Sequence, residues 1–280
     1  MCATHNLQYR TYNYRCFKLE FSSLSRLYWC VEYSTKLANQ QISNTAESLT
    51  GKYLNEILPL SDFDNGKLHI TASEFMRESE THISHLRLLL VVKACALLEE
   101  YLHRQAHYYA IHLGYVGKKF NELNEVGKTM IKPTLVSNLH ESLKYFQHLA
   151  TLNFGSLMLT IKEAYEIRCA VAHNGGIVDH ETARRLPKFN KIIGQRIQIN
   201  WSELNIYLKA IHDVATKMDE CLPVGRIRSI EVNWLLQGLF DLDKNLTAKA
   251  ARKLLITEYN YPEGVPSAEI IASRFNCPKS

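Results

Sequence analysis

LMLTIKEAYEIRCAVAHNGG, residues Leu157 to Gly176, is the stretch on which the reading of this chain turns. Leu157 to Asn174 carries a helical pattern, and Gly175-Gly176 stops it, since glycine enters the left-handed conformation that closes a helix without steric cost. Arg168 lies inside that helix and His173 on its last turn. Five residues of α-helix advance about 7.5 Å and rotate about 140° beyond a full turn, so the two side chains do not share a face. A long Arg and a His near a fraying end can still converge on one cleft.

The segment after the glycines is basic: Arg184, Arg185, Lys188, Lys191 and Arg196 lie close together, with no acid between Glu181 and Glu203. Arg196 to Asn200 reads as a short extended piece, and Asn200 or Ser202 can cap a helix carrying Leu204, Leu208, Ile211, Ala215 and Met218. On the N-terminal side, Thr81 to Leu113 is the longest helical stretch, apolar on more than one face as a central bundle helix is. Thr71-Ala-Ser-Glu74 before it has the form of a capping box. Pro133 separates a helix at Asn121 to Met130 from another at roughly 134–150.

Further out, Phe17-Lys-Leu-Glu-Phe21 alternates as a strand does. Leu24, Leu27, Tyr28, Val31, Ala38 and Ile42 fall largely at helical spacings, and Asn65-Gly66 signals a turn. The C-terminal part holds two or three shorter helices, with Pro266 at a helical first turn. Ala248 to Ile256 followed by Ser267 to Phe275 faintly suggests a helix-turn-helix, beside the plainer reading of a packed or partner-docking tail. The expected fold class is therefore all-α. A helical bundle occupies residues 71–222, with an N-terminal extension of uncertain fold at 1–70 and a C-terminal helical extension at 223–280.

Composition narrows the class of protein. A 280-residue chain with 46% hydrophobic residues has little room for extensive disorder. Leu86 to Leu98 is interrupted by Arg87 and Lys93 and falls short of the roughly 20 residues of a membrane span, so no membrane partner is expected. The N-terminus has neither a basic cap nor an apolar run, which predicts a cytoplasmic protein without a signal peptide. Cys2, Cys16, Cys30, Cys95, Cys169, Cys221 and Cys277 are odd in number and scattered, as reduced thiols are. A net charge of +5 does not by itself announce a nucleic-acid partner.

An Arg followed four to six residues later by His arises by chance about twice in a chain of this composition. This chain has two such pairs, Arg77 with His82 and Arg168 with His173. The first crosses a Glu-Ser-Glu-Thr stretch at a helix start and reads as solvated surface. The second has context: the run Glu166-Ile-Arg-Cys-Ala-Val-Ala-His-Asn-Gly-Gly-Ile-Val-Asp179, a basic linker, then an amphipathic helix.

In this the chain resembles the HEPN superfamily, helical-bundle proteins many of which are RNA-cleaving toxins or antiviral effectors. The resemblance is best over Gly155 to Leu222. It extends more loosely back to about Thr81, where Ala96-Leu-Leu-Glu-Glu-Tyr-Leu102 is similar to an early bundle helix of that superfamily. It implies an HEPN-like bundle and a metal-independent endoribonuclease with Arg168 and His173 as catalytic residues, in toxin-like growth arrest or antiviral defence. The position after the Arg, often Asn or another polar residue in the family, is Cys169 here, which weakens the carry-over of any third polar role.

The residue types suit that chemistry. RNA carries its own nucleophile, the 2′-hydroxyl, so cleavage needs a base, an acid for the departing 5′-oxygen, and positive charge beside the phosphate. Histidine titrates near neutrality and serves as either acid or base, while Arg stays charged and can hold two phosphate oxygens. No metal or other cofactor is called for. Asn174, Arg184, Arg185, Lys188 and Lys191 are the candidate contacts to the RNA backbone. One Arg and one His per chain are too few for acid and base together, which points to a homodimer with two motifs facing across a two-fold axis. An antitoxin or regulatory protein is a further class of partner left open.

Plainer readings stand beside these. His173 can be a helix C-cap, Arg168 can pair with Glu163 or Glu166, Asn174 before Gly is ordinary capping chemistry, and the basic stretch can be a solvated loop. His103 and His107 lie one helical turn apart, but no Glu or Cys completes a metal set. Cys169 has no activating partner. A non-catalytic HEPN-type module binding nucleotide, RNA or protein, and a DNA-binding regulator using the C-terminal helices, are the rival functions.

Overall fold

The computed structural model describes residues 10–45, 51–57, 70–112, 139–149, 152–222, 224–259, 261 and 265–279. Helices follow one another along the chain: α1 (Tyr12–Thr45), α2 (Leu54–Ile57), α3 (Ala72–His112), α4 (Leu139–Leu149), α5 (Leu157–Asn174), α6 (His180–Arg185), a 3-10 turn (Pro187–Ile192), α7 (Trp201–Glu220), α8 (Val224–Leu242), α9 (Ala248–Thr257) and α10 (Ala268–Phe275). Among the described residues there is no strand, and β-type pairing is confined to two isolated bridges. The fold class is all-α.

The expected strand at Phe17 to Phe21 is part of α1. Tyr14, Phe17, Phe21, Leu24 and Tyr28 are buried while Leu19 is exposed. Their spacing of three and four residues makes one helical face, and the apparent alternation came from an exposed leucine between two buried phenylalanines. The capping box before α3 forms as expected. The Thr71 N–H donates to Glu74 Oε2 at 2.9 Å, and the Glu74 N–H donates to Thr71 Oγ1 at 3.2 Å. Asn200 and Glu203 make the same reciprocal pair at the start of α7, at 2.9 and 3.0 Å. Pro266 lies outside α10, which Ser267 caps, so it precedes the first turn instead of occupying it. The readings at Asn65-Gly66 and at Asn121 to Pro133 fall outside the described residues.

Over half of the most apolar window of α3, within Ala72–Ala106, is buried inside the protein. By length and composition this segment could cross a bilayer, a test that the core helix of a soluble protein also passes. The six described cysteines are free thiols.

The chain forms two compact units, each drawing on separated stretches. One unit comprises Met1–Leu19, Leu97–Met158 and His212–Ser280. Its C-terminal helices share a core of Val232, Leu236, Phe240, Ala248, Ala251, Leu255, Tyr261 and Ile271. A buried carboxylate ties the start of α1 to them. Glu231 accepts hydrogen bonds from the Tyr12 N–H at 2.6 Å, the Tyr108 hydroxyl at 2.5 Å and the Tyr261 hydroxyl at 2.7 Å. Nearby, buried Asp219 accepts hydrogen bonds from the hydroxyl and the amide of Thr11 and lies 3.8 Å from Arg10.

The other unit comprises Glu20–Ala96 and Leu159–Ile211. Here Tyr28 stacks on Trp201 with centroids 4.6 Å apart. Buried Arg87 reaches Glu80 at 2.8 Å, the Tyr28 hydroxyl at 3.2 Å and the Ile199 carbonyl at 3.3 Å. This fixes the extended piece before α7, where Ile197 and Ile199 are buried and Gln198 is exposed, the alternation expected of it.

Two measurements test the first unit. Removing the acceptor from three donors costs about 1–3 kcal/mol for each that stays buried, so Glu231→Ala should lower the unfolding free energy by at least about 3 kcal/mol in urea titrations. Burial pushes the Asp219 carboxyl up from 3.8 to about 6, against the opposing pull of Thr11 and Arg10. The folded chain therefore binds this proton more tightly than the unfolded one. The Asp219 contribution to stability rises as pH falls through about 6 and levels off below the unfolded value. The stability difference between wild type and Asp219→Asn should change between pH 7 and 5 in that direction; a pH-independent difference would contradict it.

Candidate functional site

Arg168, His173, Asn174 and the basic stretch from Arg184 to Arg196 belong to the second unit, and the end of α5 organises them. The Gly176 N–H donates to the Ala170 carbonyl six residues back at 3.0 Å, closing the helix end, with φ of 59° at Gly175 and 80° at Gly176. A Cβ at Gly176 would lie 3.6 Å from each of Arg196 Cγ, Leu88 Cδ1 and Val171 Cγ2, an ordinary packing distance. Dihedral angle, not space, is what demands glycine there. The chain then folds back on itself. The Val178 N–H donates to Gln195 O at 2.9 Å, Gly194 N–H to Val178 O at 2.8 Å, and Ile197 N–H to Gly176 O at 2.8 Å.

His173 stands exposed on the last turn of α5. Arg168 is partly buried, its guanidinium 5.4 Å from the centre of the Tyr165 ring. Asn174 is held in place: its amide donates to Asp179 Oδ2 at 2.5 Å, while Asp179 Oδ1 accepts the Thr182 N–H at 2.6 Å and so caps α6. That amide bond from Thr182 holds the Asp179 carboxyl below its usual range.

The basic stretch is less bare than its sequence. Arg184 makes two hydrogen bonds to Glu181, at 2.9 and 2.7 Å. Arg185 bonds Glu181 at 2.7 Å and Glu166 at 3.2 Å. Lys188 contacts Glu163, the Tyr207 hydroxyl at 2.9 Å and Glu203 at 3.7 Å. The hydrogen bonds from Arg184 and Arg185 lower the Glu181 pKa to about 2. Burial would raise Glu163, but the bonds from Lys188 and Tyr207 outweigh it and hold this carboxyl below its ordinary value. Only Lys191 of the four candidates is exposed with no carboxylate partner among the described residues. The compensating acids come from α5, α6 and α7, before and after the stretch that lacks them.

Sequence reasoning missed one pair. The stem of Arg196 packs over the closing turn of α5, and its guanidinium donates to His85 Nε2 at 2.7 Å. Because Arg can only donate, Nε2 is the acceptor and the ring proton sits on Nδ1. Burial first, then the charges of Arg196 and His82, lowers the His85 pKa, so this imidazole is neutral at pH 7. Nothing local marks His85, which is 111 positions from its partner in an apolar helix. Arg77, by contrast, is exposed and paired with Glu78, as surface. His103 is exposed, and the side chain of His107 lies outside the described residues. Among the described residues no group of three or more His, Cys, Asp or Glu could hold a metal ion.

Chemically, this end of α5 offers an exposed imidazole, a neutral imidazole bound to a guanidinium, and a partly exposed guanidinium about one and a half to two helical turns back from the terminus. Comparison of the chain with protein families, with curated proteins and with solved structures returns no match.

Proposed function

We propose that the chain is a metal-independent endoribonuclease that cuts single-stranded or looped RNA through its own 2′-hydroxyl, acting as a toxin-like or antiviral effector. What carries this reading is the exposed His173 on the closing turn of α5, with Arg168 five residues earlier on the same helix and the His85–Arg196 pair packed against that turn. In the reaction the 2′-oxygen attacks the adjacent phosphorus as its proton passes to an imidazole. The bond to the 5′-oxygen breaks, and that oxygen leaves with a proton from a second acid. The products are a 2′,3′-cyclic phosphate and a 5′-hydroxyl. A guanidinium holds the non-bridging oxygens as charge builds on them.

Cleavage is expected in the presence of EDTA, with 2′,3′-cyclic or 3′-phosphate ends, and DNA of the same sequence should survive because it lacks the nucleophile. His173→Ala should reduce the rate about 10²- to 10⁴-fold by deleting proton transfer. Arg168→Ala should cost about 2.7–4 kcal/mol of transition-state stabilisation. Magnesium-dependent cleavage leaving 5′-phosphate ends, or full activity in His173→Ala, would overturn the assignment.

The acid and the base are assigned to His173 of two chains in a homodimer, so the active species should sediment as a dimer. An active monomer that loses its activity on His85→Ala would instead put the second imidazole within one chain. The pairing of Arg184, Arg185 and Lys188 with carboxylates favours a second reading, a non-catalytic nucleotide-, RNA- or protein-binding module in which these side chains are structural. Binding of RNA without any cleavage, unaffected by His173→Ala, would select it.

A further inference from the structure

Away from the end of α5, the C-terminal helices enclose a groove of about 930 Å³ between α9 and α10. Among the described residues four cations line it, Lys249, Arg252, Lys253 and Lys279, against one carboxylate, Glu269. That carboxylate is already matched by Lys279 at 2.7 Å. Lys249, Arg252 and Lys253 are exposed, and among the described residues no acid pairs with them. This is the reverse of the stretch at 184–188, where the folded chain supplies a carboxylate to each cation. The groove is held open by the chain itself: the tail carbonyls of Pro278 and Lys279 accept the Ala248 and Lys249 N–H groups at 2.7 and 3.2 Å. Ala251, Leu255 and Ile271 are buried beneath it. Thr247, on its rim, accepts the Ala250 N–H at 3.3 Å and keeps its own proton to donate.

We infer that this groove binds the phosphodiester backbone of a single nucleic-acid strand without regard to base sequence. The three unpaired cations fall within five residues of α9, about 6 Å of helix axis, which concentrates positive charge on the groove as a phosphodiester backbone requires. A guanidinium and a free hydroxyl beside two ammonium groups match phosphate oxygens. Among the described residues no aromatic side chain lines the groove, so base stacking is not part of the recognition. Its concave form suits a strand better than a flat lipid surface. The connector from Glu258 to Ser267 is longer than the roughly 3–4-residue turn of a helix-turn-helix, so insertion of a recognition helix into a duplex groove is not the mode. The inference does not rest on cleavage at Arg168 and His173.

The test uses the full chain and a labelled oligodeoxythymidylate, which has no 2′-hydroxyl and cannot be cut by the proposed reaction. Anisotropy titrations from roughly 50 to 200 mM salt give the slope of log affinity against log salt. With Lys249→Gln, Arg252→Gln and Lys253→Gln combined, the slope should fall by about two, and affinity at about 0.1 M salt should drop roughly 100-fold. Arg252→Lys, which keeps the charge, should bind nearly as wild type. Circular dichroism checks that the triple variant keeps its helices, and if it does not, Arg252→Gln and Lys253→Gln singly should each lower the slope by about 0.7. Absence of binding by wild type, an unchanged slope in folded variants, or capture of phosphatidylserine vesicles or oligoglutamate in preference to the oligonucleotide would overturn the inference.

Discussion

The closure of α5 at Gly175 and Gly176 is the constraint on which the candidate site depends. Two consecutive residues with positive φ turn the chain out of the helix and deliver Gly176 to the Ala170 carbonyl. Once that turn is made, Ile177 to Asp179 run back beside Gly194 to Ile197, and Asp179 is in position to cap α6 and to hold Asn174. The same return lays the Arg196 stem over Gly176 and brings its guanidinium to His85 on α3. A side chain other than glycine at either position meets the left-handed penalty of about 1–2 kcal/mol, even though Gly176 has room for a methyl group.

The other unit is organised around buried carboxylates instead of a turn. Glu231 gathers two tyrosine hydroxyls and a backbone amide from three separate parts of the chain, and Asp219 does the same for Thr11 and Arg10. Each carboxylate has its pKa raised by burial, so neither is stabilising simply because it is charged. Their value lies in fixing which donors meet, since removing the acceptor strands the donors.

Charge illustrates how a local count and a folded environment diverge. The stretch from 184 to 196 contains no acid, yet Arg184 rests on Glu181 of its own helix, Arg185 on Glu181 and on Glu166 of α5, and Lys188 on Glu163 of α5, while among the described residues Lys191 has no carboxylate partner. Lys249, Arg252 and Lys253 are less conspicuous in sequence because they are mixed with alanine in a short helix. Folding nevertheless leaves them without an acid partner among the described residues, around one concavity.

Helices, caps and stops were legible in the sequence because they are local. Leu157 to Asn174 with its two glycines, the Thr71–Glu74 box and the Asn200 cap each need only residues three to six positions apart. Phe17 to Phe21 was misread for the same reason in reverse: a five-residue window cannot separate period two from a helical face that continues to Tyr28. The Arg168 and His173 spacing was readable as a pattern, whereas the partners around it were not. Which acids meet the basic stretch, that His85 sits under Arg196, and that three lysine and arginine side chains share a groove depend on side chains brought together across the fold. Sequence by itself determined the elements and their ends, through backbone preference within a turn or two. Tertiary structure alone decided which charges are cancelled and which remain exposed, because Coulomb pairing and desolvation act through distances that chain separation does not encode.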